Sequence, residues 1–596
     1  MPTVLHRLSK WADANPNAPA QKFKKDGSWQ SISVREYMDR VHYLALFLEF
    51  KGVTPLDAGC VFAPNSPQWM HLDLATQLLG AKSAGIYPNS TQKDVLYILN
   101  HTGAKVLSVK DEEFFSKITE KGSQIPASVE FVIVFDGNTK ISPKAIGYEE
   151  ALAEGKKLSQ KKGAKSLKDY LHAVDPHAGV MMIYTSGTTG NPKGALLSHD
   201  NLAFTADIIS KGWSLPKGGE TTFSFLPLCH VAEKLQNIGV AISNRYCVNF
   251  CTKFDNVSTE LPEVSPTLLL SVPRLWEKMM EGVTNKVARG TGAKKNLALW
   301  ALDVGKRVAE AKYSGKSAAP LDRVQLIIAD KLVLSKIREA LGLGKARHMA
   351  SGAAALPSHV CKWFRSIGLE ILEDFGQTES TGVICITVRG VECAGTVGKP
   401  APDIEVKVAE DGEILTRGRH VFKGYFKDDA ATASTLEGGW LRSGDLGEYT
   451  DRGLIRIRGR KKEIMKTSGG KMVAPLPIEE ALKADPIISQ VCMVGDGRKF
   501  MAALITLSES SMESAKKDSA RTITQPDLVS QVKTVVDQLN GTLASYEQIK
   551  KFVILRNEFS IAEGEMTPTL KMKRNVIETR YRDVIDAMYG SVQVGD

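Results

Sequence analysis

Short apolar runs alternate with helical patterns in the first third of the chain. The segments VEFVIVF (129–135) and GVMMIYT (179–185) are the continuous apolar runs expected of strands buried on both faces. The segment DLATQLLGAKSAG (73–85) instead has a helical pattern. This alternation predicts an α/β architecture in which crossover helices connect parallel strands.

The N-terminal segment predicts a helix that docks on the body of the protein. Charged residues interrupt its apolar pattern, so it lacks the apolar core of a signal peptide. Four apolar residues recur at helical spacing, namely Val4, Leu5, Leu8 and Trp11.

Two changes in composition organise the rest of the chain. Residues 285–345 are rich in Ala, Leu, Lys and Arg and predict two or three helices between strand-like segments at 266–273 and 346–352. A basic stretch near 457–465, followed by Gly469 and Gly470, is typical of a domain boundary. We therefore expect an N-terminal domain over residues 1–458 and a C-terminal domain over residues 459–596.

Composition sets the class of protein but not its chemistry. The chain has 596 residues, 43% hydrophobic and 24% charged, which is ordinary for a globular protein of roughly four structural units. Eight scattered cysteines without a CxxC pair indicate reduced thiols and a cytoplasmic location. The net charge of +10 suits phosphate-rich ligands or an anionic membrane surface. No apolar run is long enough to span a bilayer, so any membrane contact is expected to be peripheral. The lysine-rich segment 155–170 predicts a solvated linker or an exposed helix rather than a membrane or nucleic-acid patch.

The segment YTSGTTGNPKG (184–194) predicts a phosphate-binding loop. Glycines allow close approach of phosphate to backbone N–H groups, and the hydroxyls add further donors. It is not a Walker A loop, because Pro192 precedes Lys193 and no Ser or Thr follows that lysine.

Together with four later motifs, this loop resembles the signature of the adenylate-forming superfamily, which includes acyl-CoA synthetases, luciferases and the adenylation domains of peptide synthetases. The later motifs are SGAAAL (351–356), DFGQTE (374–379), GEILTRGRHVFKGYF (412–426) and LRSGDLG (441–447). The resemblance runs from about residue 10 to about residue 585. It implies an N-terminal AMP-binding domain of two α/β subdomains and a distorted β-barrel, followed by a small, mobile α+β lid domain.

The resemblance also implies which residues hold the nucleotide. Phe375 is expected to stack near adenine, Thr378 to touch the α-phosphate, and the two oxygens of Asp445 to accept both ribose hydroxyls. Thr185 and Glu379 are the implied ligands of Mg²⁺. The full set implied for ATP or AMP is Thr185, Ser186, Gly187, Thr188, Thr189, Gly190, Lys193, Gly352, Ala353, Ala354, Asp374, Phe375, Gly376, Gln377, Thr378, Asp445, Ile457, Arg460 and Lys571.

A basic element near the C-terminus resembles the superfamily's catalytic lysine motif. In TPTLKMKRN (567–575) it implies that Lys571 bridges the substrate carboxylate and the α-phosphate. Leu570 stands where glycine is common, and Lys573 and Arg574 are close competitors. The implied catalytic residues are Lys571, Glu379, His230 and Arg460.

Coenzyme A is the implied second co-substrate, and it would be reached after the lid domain turns about a hinge. The segment 459–471 resembles the hinge motif, with Gly459 where Asp or Lys is usual. The residues implied for the hinge and for coenzyme A are Gly459, Lys466, Gly469 and Gly470. For the 3′-phosphate of coenzyme A, the candidates are Lys461, Lys462, Lys466 and Lys471.

Two segments bear on the acid that is activated. LPLCHVAEK (226–234) resembles the acyl-CoA synthetase pocket motif, with His230 beside the acyl carboxylate and Lys234 where some relatives have an aromatic gate residue. SVPRLWEKM (271–279) resembles long-chain and very-long-chain, bubblegum-like members. The expected reaction converts such a fatty acid into acyl-AMP and then acyl-CoA, with release of pyrophosphate and AMP.

Other members of the superfamily offer alternatives. An aromatic or amino acid is the alternative substrate, and FDNVS (254–258) superficially resembles the amino-group site of peptide synthetases. A luciferase-like oxidation would share the same motifs. A catalytically inactive nucleotide-binding scaffold is disfavoured, because it would be expected to lack Glu379 or Lys571. The sequence leaves the oligomeric state open.

Overall fold

A computed structural model describes residues 2–185, 191–512, 515, 520–567 and 569–590. Five β-sheets of nine, eight, five, four and two strands organise these residues. The first elements in chain order are α1 (Val4–Ala14), β1 (Pro19–Lys25), β2 (Ser28–Ser33), α2 (Val34–Phe50), β3 (Ala58–Phe62), α3 (Pro67–Leu78), β4 (Lys82–Ile86), α4 (Gln92–Thr102), β5 (Val106–Val109), α5 (Glu112–Thr119), β6 (Phe131–Val134), β7 (Ala145–Gly147), α6 (Tyr148–Ser159), α7 (Leu167–Ala173), β8 (Gly179–Thr185) and β9 (Lys193–Ser198).

A second group of elements follows. It consists of α8 (His199–Gly212), β10 (Thr221–Ser224), α9 (Val231–Lys234), α10 (Ala241–Asn244), β11 (Cys247–Phe250), α11 (Val257–Val264), β12 (Leu268–Ser271), α12 (Pro273–Arg289), α13 (Gly292–Tyr313), α14 (Pro320–Ala329), α15 (Ser335–Ala340), β13 (His348–Ser351), α16 (Ser358–Ser366), β14 (Ile371–Phe375) and β15 (Cys385–Ile386). Two π-helical turns, Leu235–Val240 and Asp330–Leu334, connect α9 to α10 and α14 to α15.

The remaining elements complete the five-stranded sheet and the C-terminal region. The first of these are β16 (Lys399–Pro400), β17 (Glu405–Val408), β18 (Glu413–Arg417), β19 (Gly424–Tyr425), α17 (Asp429–Thr435), β20 (Leu436–Glu437), β21 (Trp440–Tyr449) and β22 (Ile455–Arg460). The last are β23 (Met465–Lys466), β24 (Met472–Val473), α18 (Pro475–Leu482), β25 (Ile488–Val494), β26 (Met501–Leu507), α19 (Glu509–Met512), β27 (Thr522–Ile523), α20 (Pro526–Asn540), β28 (Ile549–Leu555), α21 (Arg574–Arg580) and α22 (Arg582–Tyr589).

Two large sheets, mostly parallel, confirm the predicted α/β class. One has the order β19-β9-β8-β4-β3-β5-β6-β7, and the other has the order β16-β15-β14-β13-β12-β10-β11-β1-β2. The central strands, such as β3 and β12, are buried along their whole length, as expected of strands covered on both faces. The carboxyl ends of these parallel strands form edges at which ligands are commonly bound in open α/β sheets.

The smaller sheets also fit the expected division of the fold. Where the resemblance implied a distorted barrel, β17, β18, β20, β21 and β22 form a five-stranded antiparallel sheet. After it, β25–β28 form a four-stranded sheet. This sheet packs with α18, α20, α21 and α22, which gives the C-terminal region its α+β character. The exact boundary between the two domains stays a prediction.

Most of the local predictions match the structure. The apolar run 179–185 is β8, and the run 129–135 contains β6. Helix α1 buries Val4, Leu5, Leu8 and Trp11, as its spacing predicted. Residues 285–345 hold the end of α12 and all of α13, α14 and α15.

One helix prediction is wrong beyond Leu78. The pattern over 73–85 suggested a single helix, but α3 ends at Leu78 and Lys82–Ile86 is the buried strand β4. Gly80 adopts φ +75°, a left-handed conformation that reverses the chain, and the N–H of Lys82 then donates to the carbonyl of Asp57 at the start of the sheet. Within the described ranges, each helix is too short or too polar to cross a bilayer.

Candidate active site

The predicted phosphate loop joins two antiparallel strands. β8 and β9 pair so that Thr185 lies opposite Lys193, and the Thr185 hydroxyl donates to the Lys193 carbonyl at 3.5 Å. The Lys193 ammonium lies 5.0 Å from the centroid of the Tyr425 ring and 3.8 Å from the Asp428 carboxylate. The other loop residues of the prediction, Ser186, Gly187, Thr188, Thr189 and Gly190, lie outside the described residues.

The SGAAAL and DFGQTE motifs meet at the carboxyl edge of the nine-stranded sheet. Gly352, Ala353 and Ala354 follow β13, and its parallel neighbour β14 ends with Asp374 and Phe375. A Cβ atom on Gly352 would lie 2.9 Å from both carboxylate oxygens of Asp374, so only glycine fits there. Ala353 has φ +70°, which turns the backbone away from the strand direction.

Two neighbouring acids at the end of β14, the buried Glu373 and the half-buried Asp374, hold their protons more tightly than usual. Burial raises the pKa of Asp374 to about 7 and that of Glu373 to about 8. Glu373 accepts a hydrogen bond from the N–H of Leu356. Within the described part of the chain, Oδ1 of Asp374 has no hydrogen-bond partner. A buried oxygen without a partner, below a glycine turn, can accept a hydrogen bond from the polar edge of a nucleotide base.

The Glu379 carboxylate is held by Tyr425, a residue of the 412–426 motif to which the sequence assigned no role. Thr378 and Glu379 lie in a buried 3₁₀ turn, and Oε1 of Glu379 accepts from the Tyr425 hydroxyl at 2.5 Å. The N–H of Phe422, two residues before β19, donates to the Glu379 carbonyl, so the segment leading into β19 also holds this turn in place. Gly376 allows the chain to reach this position, since a Cβ there would lie 2.3 Å from the Gly382 carbonyl oxygen. Gln377 lies between Gly376 and the 3₁₀ turn, and its buried Nε2 has no hydrogen-bond partner among the described residues.

Asp445 and Arg460 are cross-strand partners in β21 and β22. Nε of Arg460 lies 2.9 Å from Oδ1 of Asp445. Burial raises the pKa of Asp445, while the charges of Arg460 and Lys571 act against that rise. Ile457 lies three residues before Arg460 on the same strand and is half-buried opposite Gly447. Arg460 therefore contacts Asp445 through Oδ1 of the carboxylate.

Lys571 lies at the end of a short turn that is closed by hydrogen bonds with Thr567. The N–H of Lys571 donates to the Thr567 hydroxyl at 3.0 Å, and the N–H of Thr567 donates to the Lys571 carbonyl at 2.7 Å. Leu570 has φ +59°, which explains why glycine is common at this position of the motif. Leu570 instead packs on apolar clusters of both the N-terminal and C-terminal regions.

The electrostatics of Lys571 tie it to the other predicted residues. Burial and, secondarily, the charge of Arg460 lower its pKa to about 8, although Asp445, Glu463 and Glu379 act to raise it. The competitor Arg574 pairs with Glu479 at 2.8 Å and donates to the Met493 carbonyl, so it serves the C-terminal core. Of these two basic residues, only Lys571 is coupled to the charges of Asp445 and Glu379, whereas Arg574 is coupled to Glu479.

His230 faces the same region as a neutral ring. Burial, and secondarily the charge of Lys571, lower the pKa of His230 to about 3. Its Nδ1 accepts from the N–H of Ala232 at 3.2 Å, which caps α9 and fixes the ring. His230 is therefore a positioned polar group rather than a cation at neutral pH.

Lys234 has a structural role that the sequence did not indicate. Its ammonium lies 2.6 Å from Asp73 in a fully buried ion pair and 4.9 Å from the centroid of Trp69. Ser83 and Gln77 donate to the same Asp73 carboxylate. A lysine held in this way ties α9 to α3, and this placement does not support a movable gate.

The predicted hinge segment 459–471 begins inside β22, where Gly459 pairs with Leu446 of β21. Gly459 has φ +141°, and Gly470 has φ +79° in the hairpin formed by β23 and β24, which also contains Gly469. The N–H of Lys466 donates to Asp496 at 2.8 Å. Lys461 pairs with Asp411 and Glu413 of the five-stranded sheet, which leaves Lys462, Lys466 and Lys471 as the better candidates for a phosphate.

Both parts of the chain match family models. Residues 8–426 match the AMP-binding enzyme family, and residues 462–593 match the AMP-binding enzyme C-terminal domain.

Relatives of similar length share about a third of the residues. The long-chain-fatty-acid–CoA ligase FadD15 of Mycobacterium bovis is 33% identical over 577 residues, which are 95% of this chain and 93% of that protein. The long-chain-fatty-acid–CoA ligase ACSBG2 of Homo sapiens is 30% identical over 96% of this chain and 90% of that protein.

Solved structures share the fold at lower identity. The adenylation domain of a carboxylate reductase from Mycobacterium chelonae has a TM-score of 0.76 at 20% identity and covers 99% of this chain and 91% of its own. The anthranilate CoA ligase AuaEII in complex with anthranoyl-AMP has a TM-score of 0.71 at 18% identity and covers 98% of each chain.

Proposed function

Because the chain belongs to the family of AMP-binding enzymes, we propose that it is a long-chain-fatty-acid–CoA ligase. The reaction converts a long-chain or very-long-chain fatty acid and ATP into acyl-AMP and pyrophosphate, and then acyl-AMP and coenzyme A into acyl-CoA and AMP. The observation that carries this proposal is that the Lys571 ammonium, on the C-terminal region, feels the charges of Asp445 and Glu379 on the N-terminal region, which act to raise its pKa.

The first step needs a positive charge between the reactants, because a carboxylate is a poor nucleophile toward a negatively charged phosphate. The fatty-acid carboxylate attacks the α-phosphate in line and pyrophosphate leaves. A lysine placed between the two anions offsets their repulsion and the charge that develops on the phosphate oxygens. At neutral pH a lysine with a pKa of about 8 is mostly protonated, so Lys571 is suited to this role.

The nucleotide is proposed to lie across the carboxyl edge of the nine-stranded sheet. The backbone of Gly352, Ala353 and Ala354 would flank the adenine on one side and Phe375 on the other. The unpartnered Oδ1 of Asp374 supports this placement, because adenine offers an amino donor to such an oxygen. Asp445 would accept from the ribose hydroxyls, and Arg460 would contact ribose or phosphate.

The donor set fits a magnesium ion that is carried mainly by substrate phosphates. Mg²⁺ commonly uses one or two protein carboxylates together with phosphate oxygens and water. Glu379 supplies one such carboxylate, of which Tyr425 occupies one oxygen, and Thr185 supplies a hydroxyl. Among the described residues, no cluster of three or more acidic, His or Cys side chains could hold a metal by itself. When bound, Mg²⁺ would neutralise part of the phosphate charge.

The second step requires the thiol of coenzyme A to reach the acyl carbonyl. We propose that residues 459–596 turn about Gly459, which withdraws Lys571 and brings the hairpin containing Lys466, Gly469 and Gly470 toward the pantetheine. Gly459 has φ +141°. Because glycine has no Cβ, this residue tolerates the large change of backbone angles that the rotation requires. The domain boundary at residue 458 is part of this proposal.

The alternative substrates are supported less well. The structural neighbours include an anthranilate ligase, but at 18% identity it bears on the fold alone. For an amino-acid substrate, Asp255 of the FDNVS segment would have to line the pocket. It lies instead in an exposed 3₁₀ turn, Phe254–Asn256.

A cytoplasmic location with peripheral membrane contact completes the proposal. All eight cysteines are free and buried, as expected in a reducing compartment. The fatty-acid substrate itself partitions into bilayers, so an enzyme that takes it up gains from working at their surface. No nucleic-acid partner is proposed.

Pyrophosphate release tests the proposed substrate class. The protein is supplied with ATP and Mg²⁺ and, in turn, octanoate, palmitate, a C24 acid, an aromatic acid and amino acids. We expect release with palmitate or the C24 acid, followed by acyl-CoA formation when coenzyme A is added. Release that is driven only by amino acids or by the aromatic acid would contradict the proposal.

A further inference from the structure

Helix α14 and the π-helical turn after it leave apolar side chains in solvent. Of the ten residues of α14, all of them described, only Ala329 is buried. Ile327 is 71% exposed and Leu321 is 67% exposed. The exposed apolar residues of this segment are Leu321, Val324, Ile327, Ile328 and Leu332. Single exposed apolar residues are normal on protein surfaces, but a group of five on twelve residues is not.

Four of these residues share one side of the helix. Leu321, Val324, Ile328 and Leu332 are spaced by three, four and four residues, which places them in a row along the helix axis. We call this row, together with Ile327, the apolar stripe.

The helices that carry the apolar stripe are firmly fixed. Ala301, Val304 and Gly305 of α13 are buried, and a Cβ on Gly305 would lie 1.9 Å from the Ser366 carbonyl oxygen at the end of α16. Arg307 of α13 donates to Asp322 of α14 at 2.9 Å. The exposed side chains therefore project from a rigid support rather than from a loosely attached segment.

Positive charge is concentrated in the segment that carries the apolar stripe. Residues 285–345 contain thirteen Lys and Arg and five Asp and Glu, so most of the net charge of the whole chain resides in this segment. The exposed basic residues include Lys294, Lys306, Lys316, Arg323, Lys331 and Lys336. Apolar residues beside lysines are typical of helices that lie in the interface of an anionic bilayer.

From these observations we infer that the apolar stripe is a docking surface for an anionic lipid bilayer. Protein–protein interfaces are depleted in lysine, which makes a protein partner a poorer match to this composition. A second copy of the chain would bring a segment of the same positive charge against it. The inference deepens the proposed membrane contact, and it assigns that contact to 320–336 rather than to the lysine-rich linker 155–170.

Vesicle co-sedimentation tests the inference without using the catalytic reaction. The full chain is mixed at low salt with vesicles of phosphatidylcholine alone or of phosphatidylcholine with phosphatidylglycerol, in the absence of fatty acid and ATP. We expect binding to the anionic vesicles and much weaker binding to the neutral ones. Since no substrate is present, a failure of the proposed reaction and a failure of docking are separate results.

Three sets of variants locate the surface. The triple change Val324→Gln, Ile327→Gln and Ile328→Gln is expected to lower the partition coefficient by on the order of tenfold or more. The triple change Lys316→Gln, Arg323→Gln and Lys331→Gln is expected to lower it by about 100-fold on anionic vesicles alone. The matched controls are Leu56→Gln, which removes an apolar side chain that is 89% exposed elsewhere, and the linker change Lys156→Gln, Lys157→Gln and Lys161→Gln. Both controls should bind as the unaltered chain does.

Three outcomes would overturn the inference. The first is an apolar-stripe variant that binds vesicles as well as the unaltered chain. The second is loss of binding in the linker variant with the stripe variants intact. The third is absence of vesicle binding together with a concentration-dependent dimer, seen by sedimentation velocity, that the apolar-stripe change abolishes, since a second copy would then be the occupant. Circular dichroism and thermal unfolding of each variant establish that it is folded.

Discussion

Arg274, at the beginning of α12, donates a hydrogen bond to Glu558 of the C-terminal region at 2.6 Å. The same guanidinium donates to Ser489 of β25 at 2.7 Å and pairs with Glu277 of its own helix. Arg274 is buried, so this contact removes its charge from water while the C-terminal region is docked with Lys571 near Asp445. If that region turns away for the second step, the contact must break.

This geometry predicts that weakening the contact affects the two half-reactions unequally. Glu558→Gln should lower the rate of acyl-AMP formation by about tenfold, which corresponds to about 1.4 kcal/mol, while thioester formation from supplied acyl-AMP changes by less. Rapid-quench measurement of each step gives the two rates. Glu563→Gln is the control, because Glu563 pairs with Arg580 inside the C-terminal region. An equal loss in both steps would contradict the prediction.

The lowered pKa of Lys571 predicts a decline of adenylation at alkaline pH. The lysine acts when protonated, and its pKa is about 8, so kcat/KM for pyrophosphate release should be highest below that pH and fall above it. Lys571→Arg keeps its proton throughout this range, so the residual activity of that variant should lose the alkaline decline. Coenzyme A is omitted so that its thiol does not contribute. If the activity of Lys571→Arg declines at the same alkaline pH, the decline belongs to the titration of another group, such as Glu373, whose pKa is raised to about 8.

Gly352 is expected to control access to the nucleotide site. In Gly352→Ala the new methyl group would lie 2.9 Å from both oxygens of Asp374 and displace either that carboxylate or the adenine shelf. We expect KM for ATP to rise by about tenfold or more, with a smaller change in KM for the acid. Gly282→Ala on α12 is the control, since its Cβ would meet nothing within 4 Å and alanine favours helix. An unchanged KM for ATP in Gly352→Ala would place the nucleotide elsewhere.

The buried pair of Lys234 and Asp73 predicts a loss of stability rather than a change of chain-length preference. Lys234→Met leaves the Asp73 carboxylate buried without its cation, which typically costs about 3–5 kcal/mol. Thermal unfolding should therefore shift to lower temperature, while the relative rates with octanoate and palmitate stay the same. A stable variant with an altered chain-length preference would show that Lys234 does line the acyl path.

Sequence patterns were sufficient for the features that repeat along the chain. The apolar run 179–185 predicted β8 with its observed limits. The resemblance implied Gly352 and Asp374 for one nucleotide site, and the structure places them at the ends of the neighbouring strands β13 and β14. Pattern reading failed at Gly80, because a small-residue strand and a helix have similar composition over a few residues.

No local sequence pattern predicts the contacts between distant parts of the chain. Tyr425 holds Glu379, and Asp73 pairs with Lys234, although 46 and 161 residues separate the partners. Nothing in the local pattern around either residue indicates its partner, since the folded sheets bring them together. The same holds for the apolar stripe, where the spacing predicts a helix and only the fold determines that its apolar side is left uncovered.

The central claim is that an ammonium group on the C-terminal region completes a nucleotide site built by the N-terminal region. Single-turnover kinetics of Lys571→Ala test it most directly, with acyl-AMP formation and the conversion of supplied acyl-AMP to acyl-CoA measured separately. We predict that acyl-AMP formation falls by on the order of 10²–10³ while the second conversion stays close to that of the unaltered chain. An equal fall in both conversions, or adenylation that survives intact, would contradict the claim.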